Sequence, residues 1–195
     1  MSEDERRGGG TRQKIQQVAL ALFAEQGYDK TSLREIAERL DVTKAALYYH
    51  FRTKDDILAS VFEDYFARID EIVEWARAQG TPTNAMRREI LRRYADLLGE
   101  TGSSGGASVM KFIQGNQSTM RDLKIGHGMT DRFSAFAELL VDKSTPLKTQ
   151  IKNAMTMAML HVGTFAPIPI EATPEERRAA ALEVILEMIP DEQLR

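Results

Sequence analysis

The stretch TSLREIAERLDVTKAALYYHFRTK, residues 31–54, decides the fold. It divides into two short helices joined by a tight turn. Ser32 followed three residues later by Glu35 is a capping-box pattern, in which each side chain satisfies a free backbone N–H of the other residue. Leu33, Ile36, Ala37 and Leu40 recur at helical spacing and form one apolar face. Asp41-Val42 interrupts that pattern where this kind of turn often carries glycine. Asp tolerates the left-handed backbone better than most residues. Thr43 then caps a second helix. Val42, Leu47 and Phe51 are spaced to face inward, which leaves Lys44, Ala45, Tyr48, Tyr49 and His50 outside. A helix that only packs a core does not usually expose two tyrosines, a histidine and a lysine together. A helix docked on nucleic acid does: Lys and protonated His pair with phosphate, and a Tyr hydroxyl donates to phosphate oxygen. A small Ala lets the backbone approach the groove and offers a methyl contact to thymine.

These residues carry a family resemblance. From Thr11 to Lys54 the chain resembles the DNA-binding domain of the TetR family of bacterial transcriptional regulators. The likeness rests on FAEQGYDKTS (23–32), REIAERLDVTKAALYYHF (34–51) and RTKDDIL (52–58), with LYYHF followed by TK the most specific part. It implies a three-helix helix-turn-helix domain. It also implies that Thr43, Lys44 and Ala45 read base edges, that Tyr48, Tyr49 and His50 grip phosphate and sugar, and that Ser32 and Lys54 each contact phosphate. Residues 55–195 match the family only in being helical, so no ligand is inherited.

Charge is distributed accordingly. Residues 6–54 hold ten Lys/Arg and five Asp/Glu, whereas residues 55–195 hold 16 basic and 21 acidic side chains. The basic excess therefore sits with the groove-binding motif, as nucleic-acid binding requires. Arg6, Arg7, Arg12 and Lys14 either add phosphate contacts or form a solvated tail. The chain has no cysteine, hence no disulfide or thiolate metal site. No apolar run approaches the ~18 residues that span a membrane. MSEDERRGGG lacks the apolar core of a signal peptide and reads as a flexible arm over 1–10. The expectation is a cytoplasmic bacterial protein, on the nucleoid when bound to DNA.

Periodicity predicts an all-α chain of about nine helices, since no sustained period-two alternation is present. Thr11 caps a first helix carrying Ile15, Val18, Ala19, Leu22 and Phe23, stopped by Gly27. Ile15, Leu22 and Phe23 are expected to close a small core with Leu33, Ile36, Leu40, Leu47 and Phe51. Thr53 caps a long helix from Lys54 to about Gln79, about 39 Å at 1.5 Å per residue, which would act as a lever. The expected division is a helix-turn-helix domain over 11–54 and a helical effector-binding and dimerisation domain over 55–195. Within the latter, helices are expected over about 84–98, 109–123 (broken by Gly126-His127-Gly128), 130–141, 146–165 and 175–188. Thr173 and Pro174 start the last of these and it is expected to bury Ala180, Leu182, Val184, Ile185 and Met188.

Two features of 55–195 bear on function. The 146–165 helix is apolar around most of its circumference and is expected to be buried. Its cover is either a second subunit, with the 175–189 helix completing a four-helix bundle, or the rest of a monomer. A palindromic operator favours the homodimer. Seven of the nine methionines lie between 86 and 159, and Met lines adaptable apolar surfaces. Gln114, Asn116, His127, Thr156 and His161 interrupt the same stretches, a composition that suits a small-molecule pocket or an ordinary core. The candidate pocket residues are Trp75, Phe112, Asn116, Met120, Phe133, Met155 and Met159. Trp75 either walls a pocket or plugs a junction. Gly102-Ser103-Ser104-Gly105-Gly106 matches G-x-S-x-G, but a helix precedes it where a hydrolase needs a strand. Asn116-Gln117-Ser118 has meaning as a glycosylation acceptor only in a secreted chain.

The expectation is a dimeric, ligand-responsive transcriptional regulator, a repressor released from a palindromic operator by a small, largely apolar effector. It is expected to have no catalytic residues, cofactor or metal site. A DNA-binding protein of the same fold without a ligand is the first alternative. A helical enzyme is the distant one, disfavoured by three scattered histidines and no acidic pair at metal-ligand spacing.

Overall fold

The computed structural model describes residues 3–103, 105–116, 119 and 126–190. The described residues form nine α-helices and no strand: α1 (Glu3–Gln26), α2 (Leu33–Arg39), α3 (Lys44–His50), α4 (Lys54–Ala78), α5 (Asn84–Gly99), α6 (Gly106–Gly115), α7 (Gly126–Leu140), α8 (Leu147–Phe165) and α9 (Pro174–Met188). No helix among these residues is long and apolar enough to cross a membrane. Ser104 and Met120 lie outside the described residues, as do Gln117 and Ser118.

The chain divides into two compact units, and the division differs from the expected one at 54/55. The first unit comprises Met1–Phe66 with Glu100–His127; the second comprises Ala67–Gly99 with Gly128–Arg195. The long helix α4 thus contributes its first half to one unit and its second half to the other. The expected boundary rested on the edge of a sequence motif, whereas compactness follows side-chain packing.

The first unit is built by short-range signals that the structure bears out. Ser32 Oγ accepts the Glu35 N–H at 3.3 Å while Glu35 Oε2 accepts the Ser32 N–H at 2.8 Å, closing the capping box. Asp41 takes φ +54° in the turn, standing where glycine is common. Thr43 Oγ1 accepts the Ala46 N–H at 3.2 Å and starts α3. Thr53 and Asp56 cap α4 reciprocally, at 3.0 and 2.9 Å. Gly27, at φ +91°, ends α1. Ile15, Leu22, Phe23, Ile36, Leu47 and Phe51 are buried together as expected, while Leu33 and Leu40 stay half-exposed.

Two expectations for this unit are corrected. The arm over 1–10 is helical from Glu3 and runs without a break into the rest of α1. The core also takes in α6. Phe112 is fully buried, 5.9 Å from the Phe23 ring, 6.3 Å from Tyr28 and 6.1 Å from Phe62. Nothing in the spacing of residues 11–54 announces an aromatic plug from a helix that starts at residue 106.

The second unit corrects the reading of α8 and α9. The buried positions of α8 are Asn153, Thr156, Leu160 and Thr164, three of them polar. Each polar group is satisfied: Asn153 Nδ2 donates to the Leu140 carbonyl at 3.1 Å, and Thr156 and Thr164 donate to carbonyls of α8 itself at 2.7 Å. The apolar residues Leu147, Ile151, Met155 and Val162 face outward. In α9 only Ile185 is buried; Val184 and Ala180 are exposed, and Leu182 and Met188 half-exposed. The two helices approach closely at Gly163, where an added Cβ would lie 2.6 Å from that of Ala181. Arg177 ties them, donating to the Thr164 and Ala166 carbonyls at 2.7 and 2.9 Å. Gly126-His127-Gly128, expected as a break, forms the first turn of α7.

Replacing Phe112 by Ala removes a filled aromatic site and is expected to destabilise the first unit by about 3–5 kcal/mol. Urea unfolding followed by helical circular dichroism measures this; Phe112→Leu should cost clearly less.

Candidate nucleic-acid interface

The outward face of α3 is open. Leu47 is 0% exposed and holds the helix down, while Tyr49 is 86% and Tyr48 42% exposed. Thr43, Lys44 and Ala45 are exposed as well, at the N-terminal end of α3. The Lys44 ammonium lies 5.4 Å over the Tyr48 ring, and Tyr49 meets His50 edge-on at 5.2 Å. Expected base-reading and backbone-gripping positions therefore share one surface. Beside them runs an open groove of about 600 Å³ lined by Arg12, Tyr48, Tyr49, His50 and Arg52, among others. Arg12 is held there by its guanidinium, 4.7 Å over the Phe51 ring. Arg52 is a residue that sequence reasoning missed; its only signal was its place in the basic excess.

Ser32 and Lys54 are engaged rather than idle. The Ser32 hydroxyl donates to Glu35 Oε2 at 2.8 Å, and hydrogen bonding from Ser32 holds the Glu35 carboxyl below the usual range. Lys54 Nζ donates to the Tyr28 carbonyl at 2.8 Å and the Asp29 carbonyl at 3.3 Å, and sits 4.3 Å over the Tyr28 ring. An ammonium has three donors, so two carbonyls orient it and leave capacity for a phosphate.

Residues 15–61 match the family model described as bacterial regulatory proteins, tetR family. Over this segment the chain is similar to the DNA-binding domain of the TetR family. The transcriptional regulator AcrR of Shigella flexneri is 43% identical over 83 residues, which are 42% of this chain and 38% of that protein. IcaR of Staphylococcus epidermidis, a negative regulator of a biofilm operon, is 42% identical over 53 residues, 27% of this chain and 29% of that protein. The chain thus spans well under half the length of these curated relatives. Among solved structures, a transcriptional regulator from Aquifex aeolicus VF5 superposes with a TM-score of 0.62 at 21% identity, over 90% of this chain and 97% of that one. The complex of SmeT with triclosan does so with a TM-score of 0.62 at 20% identity, over 94% and 93%. At these identities the likeness establishes the fold, an N-terminal helix-turn-helix followed by further helices.

The seven pocket candidates are spread over the chain. Phe112 and Asn116 belong to the first unit. Met120 is outside the described residues. In the second unit Trp75 lies beneath the Arg93 guanidinium at 3.9 Å, Met155 is exposed, and Met159 lines a groove between α8 and α9. Phe133 alone joins a ring cluster, 6.1 Å from His161. That cluster includes Tyr94, Phe136 and Phe165. His161 Nδ1 lies 3.0 Å from the Met157 carbonyl, so it carries the proton there, and Nε2 accepts from the Tyr94 hydroxyl at 2.9 Å. Tyr94 is the residue that sequence reasoning passed over: it reads as one more apolar position on the face of α5.

Burial pushes the His161 imidazole below its ordinary value, with the Met157 carbonyl opposing. The unfolded chain then takes up a proton first, near pH 6.5. The stability contributed by neutral His161 is present above that pH and is lost progressively as pH falls toward the lowered folded value. Chemical unfolding between pH 7.5 and 5 should show this loss, and His161→Gln should flatten it.

Proposed function

We propose that this chain is a dimeric, sequence-specific DNA-binding regulator, a repressor released from a palindromic operator by a small, largely apolar ligand. The observation that carries the reading is the open face of α3: Thr43, Lys44 and Ala45 toward base edges, Tyr48, Tyr49 and His50 toward the backbone, with Ser32 and Lys54 at flanking helix starts. Repression is supported by IcaR, named a negative regulator.

Dimerisation is supported by the inverted character of α8. A helix that buries satisfied polar groups in its own chain and presents Leu147, Ile151, Met155 and Val162 to solvent needs a cover. A groove of about 600 Å³, lined by Met159, Val162, Ile168, Ile170 and Val184 among others, continues that surface onto α9. Each such side chain gains about 1.5–3 kcal/mol on full burial. A second copy supplies a matching face, and two-fold symmetry sets two α3 helices about 34–36 Å apart for two half-sites.

Ligand control is supported by SmeT, which shares the fold and is bound to triclosan, and by Phe133 in the ring cluster with Tyr94 and His161. A ligand acts only through its preference for one conformation; a swing from 1:99 to 99:1 takes about 5.5 kcal/mol of differential affinity. The helix α4, shared by both units, is the covalent route for that change.

Selection from a random duplex pool should yield a palindrome. Lys44→Ala should weaken binding to the selected duplex by about 1–3 kcal/mol with relaxed sequence preference, whereas Lys54→Ala should weaken all sequences alike and lower the salt slope by about one. Unchanged binding by Lys44→Ala across salt concentrations would falsify the assignment of α3. Ile151→Glu with Val162→Glu should convert a dimer to monomer in sedimentation; a wild-type chain already monomeric at micromolar concentration rejects the dimer.

A further inference from the structure

Tyr28, in the loop between α1 and α2, is held at each of its polar groups. Its N–H donates to Asn116 Oδ1 at 3.1 Å, across 88 residues of sequence. Its carbonyl accepts from Lys54 Nζ. Its hydroxyl donates to Asp55. Burial, followed by that hydrogen bond, keeps the phenol protonated well above its usual range. Its ring takes the Lys54 ammonium on one face and lies edge-on to Phe112.

Asn116 is built for this position. It is 7% exposed and is the C-cap of α6, where its Nδ2 donates to the Phe112 carbonyl at 3.0 Å. That bond fixes the amide orientation and turns Oδ1 toward the Tyr28 N–H. The backbone of Tyr28 is then held on both sides of its Cα, by Asn116 at its N–H and by Lys54 at its carbonyl. Removing Asn116 Oδ1 leaves a buried N–H without an acceptor, a cost the loop escapes by moving. Lys54 loses its template when the loop moves.

From this geometry we infer that Asn116 is a positioning residue for DNA binding, acting through Tyr28 to set the Lys54 ammonium for a backbone phosphate. The inference rests on the DNA-binding reading above and adds to it a residue far outside the helix-turn-helix. It gives Asn116 a role in the interface rather than in a ligand pocket.

The test is a double-mutant cycle with Asn116→Ala and Lys54→Ala in the full chain, measured on the selected duplex and on a scrambled duplex of equal length. Asn116→Ala should weaken both complexes by about ten-fold, the scale of one charge-assisted contact. It should also lower the salt slope by about one, as losing one phosphate contact does. The double variant should bind no worse than Lys54→Ala alone. Asn116→Gln, which keeps both the amide oxygen for the Tyr28 N–H and the amide donor for the Phe112 carbonyl, should recover part of the affinity and slope that Asn116→Ala loses. Circular dichroism and thermal unfolding of every variant identify loss through misfolding. A wild-type slope in Asn116→Ala overturns the inference, as does a loss that adds in full to that of Lys54→Ala. If the wild-type chain shows no sequence-preferring DNA binding, the reading beneath falls as well; if it does bind, and Lys44→Ala weakens it, failure of the cycle condemns the Asn116 role alone.

Discussion

A seven-residue helix does not persist by itself in water, since isolated helices below about 12–15 residues are marginal. The helix α3 exists because Leu47 and Phe51 are pinned in a core, and its outer face is available because those two residues supply the anchorage. Everything attributed to the face depends on this division of labour. Lys44, Ala45, Tyr48 and Tyr49 are exposed, so packing does not dictate which side chains stand there. The Thr43 cap and the left-handed Asp41 fix where the helix starts and how it leaves α2. Their role is orientation, because a recognition helix rotated by one residue presents a different surface.

The core that anchors α3 is larger than the motif that announces it. Phe112 fills the space among Phe23, Tyr28 and Phe62, and Asn116 holds the Tyr28 N–H. The first unit is therefore discontinuous in the chain. Two segments connect α6 to the second unit, and α4 runs directly into it.

The second unit shows the same separation of faces with opposite chemistry. In α8 the side chains turned inward include Asn153, Thr156 and Thr164, each satisfied by a carbonyl, while methionine and branched aliphatics face out. Apolar composition counted around a helix cannot distinguish a helix buried in its own chain from one awaiting a partner. The Gly163–Ala181 approach and the Arg177 clamp hold α8 against α9, and Met159, Val162 and Val184 line one groove there.

Local signals determined much of this protein directly. The capping box at Ser32, the Thr43 and Thr173 caps, the stop at Gly27 and the 3.6-residue periodicity each depend on a few neighbouring residues, and each was legible. So was the outer face of α3, because a face is a matter of spacing. The residues proposed for the interface came from that spacing for α3 and, for Ser32 and Lys54, from the family likeness alone. What spacing does not encode is which helix packs against which. That Phe112 belongs with Phe23, that Asn116 reaches Tyr28, that α8 turns its threonines inward, and that Tyr94 meets His161 are outcomes of chain segments meeting at long range. They are decided by shape complementarity and by the demand that buried polar groups find partners. Only the tertiary structure, where those demands are met simultaneously, settles them.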